Sequence, residues 1–374
     1  MPTLKRPRPV ATQSTRTRLS WEASTLGAVG NLKLVESSVP SPAEDEVVVG
    51  VGAIGLNYAD IFMVLGLYEA ANKHVQQTGG ALCPGLEFAG EVLAIGSAVA
   101  SVSVGDRVFG FSRFGAYRSV TVVADKHVRK VPAGWSLAQA AAILVQGLTA
   151  WHGLVELGAA EKGSHVLVHA AAGGTGCCAL QICEALGCEA VGVVSSERKA
   201  AFLKERFPRC TPLIRKKSQK AYAAQLASLP EFDVVLESLG GWYLSVALER
   251  VAPMGRLVTF GQTNAYGGSA VEGLWKWLKL IPSYLKRPMV DPGKLTPRNQ
   301  SVMGFNLIWL TERHERMTRE LERMFDAGGL LNKPPAVGMT FPFEELPAAL
   351  DYLRSGANLG KVVVTVGEGA TDAV

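Results

Sequence analysis

The chain has 374 residues, of which 48% are hydrophobic and 19% are charged. This apolar content excludes a disordered chain, and the length suggests two or three domains. No apolar run approaches the roughly 20 residues that cross a bilayer, which argues against an integral membrane protein. The formal net charge of +5 fits a phosphorylated small molecule better than a nucleic-acid backbone.

Six cysteines show neither the spacing of a disulfide scaffold nor that of a zinc site: Cys83, Cys177, Cys178, Cys183, Cys188 and Cys210. We therefore expect a reducing compartment and a cytoplasmic protein. Residues 1–20 are basic and lack acids, so two interpretations remain open, a disordered basic tail or an organelle transit peptide. Residues 368–374 are predicted to form a frayed polar end.

From Glu46 to about Lys130 the sequence predicts β structure. Short Val-rich runs separated by Gly, Asp and Pro are typical of an antiparallel sandwich or barrel. The predicted strands are Val47–Val51, Glu91–Ile95, Arg107–Gly110 and Arg118–Val123.

After Pro132 the pattern changes to an Ala-rich helix over 136–157 and then to strands alternating with helices as far as Gly261. That alternation predicts a doubly wound α/β domain with a parallel sheet. Beyond Thr311 come a charged helix, a second helix over 346–354 and a closing strand over 361–365. The pattern alone does not place this last segment in either domain.

A glycine cluster lies between a predicted buried strand, 165–169, and a predicted helix, 174–186. Gly173, Gly174 and Gly176, with Thr175, fit a loop whose backbone amides cradle a pyrophosphate at the positive end of the helix. Ala171 stands where the first glycine of the usual motif would be, but the strand, loop and helix follow in the required order. The alternative is a glycine turn that binds nothing.

The end of the second parallel strand indicates which dinucleotide binds. An NAD site wants an acidic residue there for the ribose hydroxyl, whereas this chain has Ser195 and Ser196 followed by Lys199, and Arg215 after the third strand. One hydrogen bond to a charged 2′-phosphate contributes roughly 1.5–3 kcal/mol, which favours NADPH by about 10- to 150-fold. The alternative is that these cations, with Arg198, form a solvated helix face.

Four motifs resemble those of the medium-chain dehydrogenase/reductase family, and more narrowly its zinc-free quinone oxidoreductase branch. They are Gly55-Leu-Asn-Tyr-Ala-Asp60, Pro84-Gly-Leu-Glu-Phe-Ala-Gly90, Gly105-Asp-Arg-Val108 and the 172–176 loop. The resemblance covers about 21–366. The insert after Gly261 and the 301–307 segment are similar to those of synaptic vesicle membrane protein VAT-1 homologues.

The resemblance implies an α/β protein in which a GroES-like β-rich catalytic domain accompanies a doubly wound Rossmann cofactor domain. It assigns residues 21–147 and 311–367 to the catalytic domain, and 148–310, with an insert over 264–300, to the NADPH-binding domain. It also implies a homodimer joined through the edge of the Rossmann sheet.

No metal is expected at the site. Catalytic zinc needs thiolate and imidazole ligands, and at the corresponding places this chain has Asn57 and Leu86. Without a Lewis acid, reduction of a quinone or enone is easier than alcohol oxidation, because the conjugated system delocalises the arriving charge.

By resemblance, the candidate catalytic residues are Asn57, Tyr68 and Thr149, while Asp60 orders the Asn57 loop. Phe62 stands where many quinone reductases carry a tyrosine, so that proton donor is missing. Tyr58 is either its substitute or a packed aromatic. The candidate cofactor residues are Gly173, Gly174, Thr175, Gly176, Ser195, Ser196, Lys199, Arg215, Gly240, Phe260, Gly261, Gln262, Phe305, Leu307 and Lys361; a surface charge is the alternative for Lys361.

Three other residues are given structural interpretations. His169 on a predicted buried strand is expected to be a hydrogen-bonded core residue rather than an acid or base. Cys177 and Cys178 lie near a helix N-terminus, where thiol pKa values fall, but packing is the expected role of both.

The insert contains Trp and Leu interleaved with Lys over 274–281, a composition typical of a helix at a membrane interface. Its alternative is an ordered flap over the active-site mouth or a dimer partner. The leading hypothesis for the chain is an NADPH-dependent, zinc-independent oxidoreductase of quinones or α,β-unsaturated carbonyls. The rivals are a nucleotide-binding membrane or vesicle adaptor with little turnover and a pathway-specific enoyl reductase.

Overall fold

The computed structural model describes residues 16–263, 281, 288–310, 313–327 and 333–367. The predicted tail as far as residue 15, most of the Trp/Lys insert and the predicted polar end lie outside the described residues.

The strands in chain order are β1 (Thr17–Glu22), β2 (Lys33–Ser38), β3 (Glu46–Gly55), β4 (Glu87–Ile95), β5 (Arg107–Phe111), β6 (Val120–Ala124), β7 (Val128–Lys130), β8 (His165–Val168), β9 (Glu189–Val194), β10 (Thr211–Ile214), β11 (Phe232–Glu237), β12 (Val251–Thr259), β13 (Ser301–Gly304), β14 (Val337–Pro342) and β15 (Lys361–Thr365).

The helices are α1 (Tyr58–Val64), α2 (Glu69–Thr78), α3 (Leu137–Ala140), α4 (Leu144–Trp151), α5 (Gly174–Leu186), α6 (Glu197–Arg206), α7 (Gln219–Ala227), α8 (Trp242–Leu248), α9 (Pro292–Leu295), α10 (Leu307–Leu310), α11 (His314–Ala327) and α12 (Leu346–Ser355). A π-helical turn over His152–Leu157 continues α4.

A seven-stranded sheet contains the Val-rich segments. Its order is β14-β15-β3-β4-β5-β7, with β6 paired to β3. β3 is the centre because Val47, Val49 and Ile54 are fully buried and because it pairs antiparallel with β4, β6 and β15. The C-terminal strand β15 therefore belongs to the same sheet as the N-terminal strands, which the pattern of the sequence could not decide.

A second sheet has six parallel strands in the order β10-β9-β8-β11-β12-β13. Helices α5 and α8 pack on its strands because their buried faces carry Ala179, Leu180 and Val246. This is the doubly wound, Rossmann-type α/β sheet that the sequence predicted, and ligands bind such sheets outside the carboxyl ends of the strands.

Three expectations were incomplete or wrong. The predicted tail ends too late, because β1 begins at Thr17 and pairs with β2. Helices α1 and α2 interrupt the β-rich region, since the apolar positions over 58–71 follow a helical period. The segment Leu137–Leu157 is apolar and long enough to cross a bilayer by length and composition, but 78% of its most apolar window is buried inside the protein.

Gly176 lets α5 approach the loop that follows β8 closely. A Cβ atom at this position would lie 2.5 Å from both the carbonyl oxygen of Ala170 and the Cα of Ala171. Because these neighbours are backbone atoms, they cannot yield as a flexible side chain would. Close packing of the helix on the backbone of this loop is therefore the physical role of this glycine.

We expect Gly176→Ala to lower the free energy of unfolding by about 1–3 kcal/mol, the usual cost of overpacking. Gly30→Ala is the matched control, because a Cβ there has no neighbour within 4 Å, and it should change stability by less than about 0.5 kcal/mol. Urea unfolding of both variants measures the difference. Equal stability of the two would contradict this role of Gly176.

Candidate functional site

Two neighbouring cavities lie between the sheets. One has a volume of about 870 Å³ and a mostly apolar lining, and the other has about 570 Å³ and contains the glycine loop. The residues that line both are Asn57, Tyr58, Gln146, Thr175, Ser238, Phe260 and Thr263. The shared lining shows that the cavities meet, so a ligand in one can reach a ligand in the other.

The glycine loop opens into the smaller cavity, as predicted. Gly173 is the N-cap of α5 with extended backbone, and all four predicted loop residues, 173–176, line the cavity. The first amides of a helix have no intrahelical acceptor and carry the positive end of its dipole. The loop therefore presents backbone donors to an anion.

Basic side chains lie at the carboxyl end of β9, beside that loop. Ser195, Lys199 and Arg215 line the smaller cavity, whereas Ser196 does not: its hydroxyl accepts from the backbone N–H of Lys199 and caps α6. Burial and the neighbouring guanidiniums of Arg215 and Arg198 hold the pKa of Lys199 below its ordinary value. These cations repel one another, so an anion between them would be stabilised.

A buried hydrogen-bond network joins the two cavities, and Lys361 is its cation. The Nζ of Lys361 donates to Glu87 Oε1 at 2.6 Å and to Asn57 Oδ1 at 3.0 Å, and the lysine is only 2% exposed. The alternative of a surface charge is therefore wrong. Gln146 Nε2 also donates to Asn57 Oδ1 at 2.6 Å, and the backbone N–H of Val145 donates to Glu87 Oε2.

Both polar atoms of the Asn57 side chain are hydrogen-bonded within this network. Its amide nitrogen donates to Gly55 O and to Glu87 Oε1, and its oxygen accepts from Gln146 and Lys361. Such a side chain orients its neighbours. Direct contact of Asn57 with a substrate stays a prediction.

Asp60 orders the loop that carries Asn57. Its Oδ2 accepts from the backbone N–H of Asn57 and from the hydroxyl of Tyr117, each at 2.8 Å. Complete burial raises the pKa of Asp60 to about 7, although these hydrogen bonds and Lys361 act in the opposite direction. The carboxyl is consequently a buried group that changes charge near neutral pH.

Tyr68 and Thr149 both line the larger cavity, and each hydroxyl has a partner. Tyr68 donates to Asn306 Oδ1 at 2.7 Å, and Thr149 donates to Val145 O at 2.6 Å within α4. Burial raises the pKa of Tyr68 to about 12, so this phenol keeps its proton at neutral pH. Tyr68 is thus a hydrogen-bond donor at the wall of the cavity.

The remaining predicted cofactor residues divide between the cavities. Phe260 lines both, while Gly261, Gln262, Phe305 and Leu307 line the larger one. Gly240 lines neither, and its backbone N–H donates to Glu237 Oε1, so its role in cofactor binding stays a prediction.

Other singled-out side chains have structural surroundings. His169 bonds to Glu237 and to the hydroxyl of Tyr222 and is fully buried, as expected for a core residue. Cys177 and Cys178 are buried, as expected for packed side chains, and burial raises the pKa of Cys177 to about 12 and raises that of Cys178 as well.

Phe62 and Tyr58 lie edge to face in the wall of the larger cavity. Their ring centroids are 5.8 Å apart, and the hydroxyl of Tyr58 donates to Arg354 O. Tyr58 therefore has a packing role and an acceptor for its proton. A proton-donor role for it stays untested.

Sequence reasoning missed Glu87, Gln146 and Asn306. Glu87 lies in the motif Pro84-Gly-Leu-Glu-Phe-Ala-Gly90. A carboxylate in an otherwise apolar strand is a signal that the carboxylate has a buried partner. Gln146 immediately follows apolar residues of a core helix, which was a similar signal. Asn306 lies between the candidates Phe305 and Leu307, but its partner Tyr68 could not be predicted, because the contact spans 238 residues of sequence.

Lys361→Met leaves the carboxylate of Glu87 buried without its cation, so we expect the free energy of unfolding to fall by about 3–5 kcal/mol. Adding Glu87→Gln should restore part of this loss. Lys73→Met breaks an exposed ion pair with Glu69 and serves as the control, for which the loss should be much smaller. Equal losses in the two single variants, measured by urea unfolding, would contradict the network.

The pKa of Asp60 predicts a pH dependence of stability. Between its ordinary value of 3.8 and about 7 the native state binds a proton that the unfolded state has released, so stability falls as pH rises across this window. Asp60 lowers the free energy of unfolding by at most about 1.4 kcal/mol for each pH unit in this window. Asp60→Asn should remove it, and parallel stability–pH curves for wild type and variant would refute the assignment.

Two family models match the chain. "Alcohol dehydrogenase GroES-like domain" matches residues 43–133 and "Zinc-binding dehydrogenase" matches residues 211–364. The synaptic vesicle membrane protein VAT-1 homolog of Danio rerio is 28% identical over 340 residues, covering 91% of this chain and 68% of that protein. A highly reducing polyketide synthase of Alternaria alternata is 30% identical over 94% of this chain, which spans only 13% of the synthase.

Solved structures show the same fold. The CurK enoyl reductase has a TM-score of 0.75 at 28% identity and covers 94% of this chain and 99% of its own. A quinone oxidoreductase of Pseudomonas syringae scores 0.73 at 26% identity, covering 93% and 99% of the two chains. A mycobacterial protein in complex with NADPH scores 0.77 at 26% identity with the same coverage.

The GroES-like match, the Rossmann-type sheet and the NADPH-bound relative together support binding of a nicotinamide cofactor. The chain thus belongs to the medium-chain dehydrogenase/reductase family of oxidoreductases, as a quinone oxidoreductase-like member.

Proposed function

We propose that this protein is an NADPH-dependent, zinc-independent oxidoreductase that transfers hydride to quinones or α,β-unsaturated carbonyls. One observation carries the proposal. Among the described residues, the lining of the smaller cavity contains four cations and no carboxylate; the cations are Lys199, Arg215, Arg354 and Lys361.

The residues present fit a dinucleotide. The N-terminus of α5 offers backbone donors for a pyrophosphate, as in other doubly wound sheets. Gly173 leaves room there, since a Cβ would have only the carbonyl oxygen of Ala170 near it, at 3.3 Å. The bound coenzyme supplies hydride from its nicotinamide ring, and this chain's residues bind, orient and polarise.

Charge selects the phosphorylated coenzyme. The side chains of Lys199 and Arg215 are in the cavity beside Ser195, where an NAD-dependent relative would need a carboxylate for the ribose hydroxyl. A 2′-phosphate placed there would relieve the mutual repulsion of the cations. NADH would leave it unrelieved.

Zinc independence has a physical basis in the buried network. The ammonium of Lys361 lies 3.0 Å from Asn57 Oδ1, at the residue that stands in place of a zinc ligand. A divalent cation beside this fixed positive charge would be repelled. The second such position is Leu86, which offers no ligand atom.

The larger cavity supplies the acceptor site. Its lining is mainly apolar, with Tyr68 and Asn306 as polar groups that can bond an acceptor oxygen. Because Tyr68 stays protonated at neutral pH, its O–H, turned from Asn306 to the acceptor, can stabilise negative charge that develops on that oxygen. The final proton then comes from this hydroxyl or from water.

We expect Arg215→Ala and Lys199→Ala to weaken NADPH binding by about 10- to 150-fold each, since each removes a charged contact to the 2′-phosphate. NADH binding should change by less than about threefold. Lys204→Ala is the control. Lys204 is an exposed cation that lies on α6, the helix of Lys199, but outside the lining of the smaller cavity. Calorimetric titration of each variant with both coenzymes measures the effect, and equal losses for NADPH and NADH would contradict it.

Turnover separates an enzyme from a nucleotide-binding adaptor. Steady-state NADPH oxidation with ortho- and para-quinones and with enones should be saturable in the acceptor. Tight NADPH binding without oxidation of NADPH by any of these acceptors would reject the proposed reaction and favour the adaptor.

A further inference from the structure

The larger cavity extends well beyond the place where hydride is transferred. Hydride transfer is expected at the junction of the larger and the smaller cavity, near Thr149, Thr175 and Phe260. The volume of about 870 Å³ lies in the upper part of the range for drug-sized ligands. An unsubstituted quinone ring would leave much of it unfilled.

Two helices, α4 and α11, contribute apolar side chains to the wall of this larger cavity, and these side chains belong to the same packed core. Leu144 and Leu148 are one helical turn apart on α4, and Met317 and Leu321 are one turn apart on α11. Residues four apart lie on the same face of a helix, so each helix presents a continuous apolar stripe. The five helical steps of α4 from Leu144 to Thr149 span about 7.5 Å.

A buried hydrogen bond between His152 and Glu320 and an ion pair between Arg323 and Glu156 hold α11 against α4 and the turn after it, so this side of the cavity is a fixed wall. Glu320 on α11 accepts from His152 Nδ1 at 2.7 Å and pairs with Arg316 at 2.8 Å, and both His152 and Glu320 are buried. Although burial alone raises the pKa of Glu320, these two partners keep it below its ordinary value. Arg323 adds a bond to Glu156, on the π-helical turn after α4.

We propose that the natural acceptor carries an apolar tail, and that this tail lies in the larger cavity against the wall formed by α4 and α11, where Leu321 and Met317 limit its length. The conjugated carbonyl head lies at the junction of the cavities, near Tyr68. This inference rests on the proposed reductase function and deepens it by naming the class of acceptor. The reaction itself is unchanged.

A series of unbranched 2-alkenals from butenal to decenal tests the tail site, with NADPH at saturation. We expect kcat/KM to rise by about fourfold for each added methylene, because each is buried against the two stripes, and then to reach a plateau at the wall. Most of the gain should be in KM, since the tail contacts do not change at the transition state.

Leu321→Trp should shorten the tail site. We expect the ratio of kcat/KM for decenal to that for butenal to fall by at least roughly tenfold. Glu322→Trp adds the same bulk to the exposed side of the same helix and should leave this ratio at the wild-type value. Leu321→Ala, which needs no extra space, should move the plateau to longer alkenals and tests the same wall if the Trp variant does not fold.

The outcomes separate the two claims. A flat kcat/KM across the alkenal series, or the same ratio in both Leu321 variants as in wild type, would overturn the tail site and leave the reductase function standing. No oxidation of NADPH by butenal, decenal or para-quinone would overturn the reductase function, and the tail site with it.

Discussion

The buried ion pair between Lys361 and Glu87 is the interaction on which the site depends. Lys361 begins β15 and Glu87 begins β4, and Asn57 and Gln146 complete the network from the turn after β3 and from α4. A cation and a carboxylate taken out of water are costly unless each has further hydrogen bonds, and here each has at least one more. The pair therefore fixes four segments of the chain at the junction of the cavities.

The network also explains how one cleft serves two ligands. On its cofactor side, Lys361 lies close to the glycine loop, since a Cβ on Gly174 would be 3.4 Å from its Cδ. On its acceptor side, Asn57 and Gln146 form part of the lining of the larger cavity. The ammonium group of Lys361 thus has two effects. It adds to the positive potential of the smaller cavity, and it orients the side chain of Asn57.

The sequence predicted the parts of this arrangement that depend on local pattern. The glycine loop, the strand before it and the helix after it follow from residue order over 165–186, and Lys199 and Arg215 followed from the missing acid at the end of β9. Contacts between distant segments could not be predicted from the pattern, because nothing near Tyr68 in sequence indicates Asn306. The same is true of Glu87, whose partner lies 274 residues away.

Three residues singled out in the sequence have local surroundings with a physical cause. Gly240 follows a strand end, as a ligand-binding residue often does, but the carboxylate of Glu237 takes up its backbone N–H. Ser196 is a small hydroxyl beside the cofactor cavity, but α6 needs an N-cap and Ser196 provides it. The pKa of Cys177 rises because complete burial outweighs the positive end of α5. In each case a local hydrogen bond or desolvation determines the surroundings of the residue.

The central claim is that a positively charged cavity selects a coenzyme by its additional phosphate. Calorimetric titration of the wild-type protein with NADPH and with NADH, at low and at high salt, tests it most directly. The account predicts NADPH binding at least about tenfold tighter at low salt, with a preference that shrinks as salt screens the charges. Equal affinities, tighter binding of NADH, or a preference that salt does not change would contradict it.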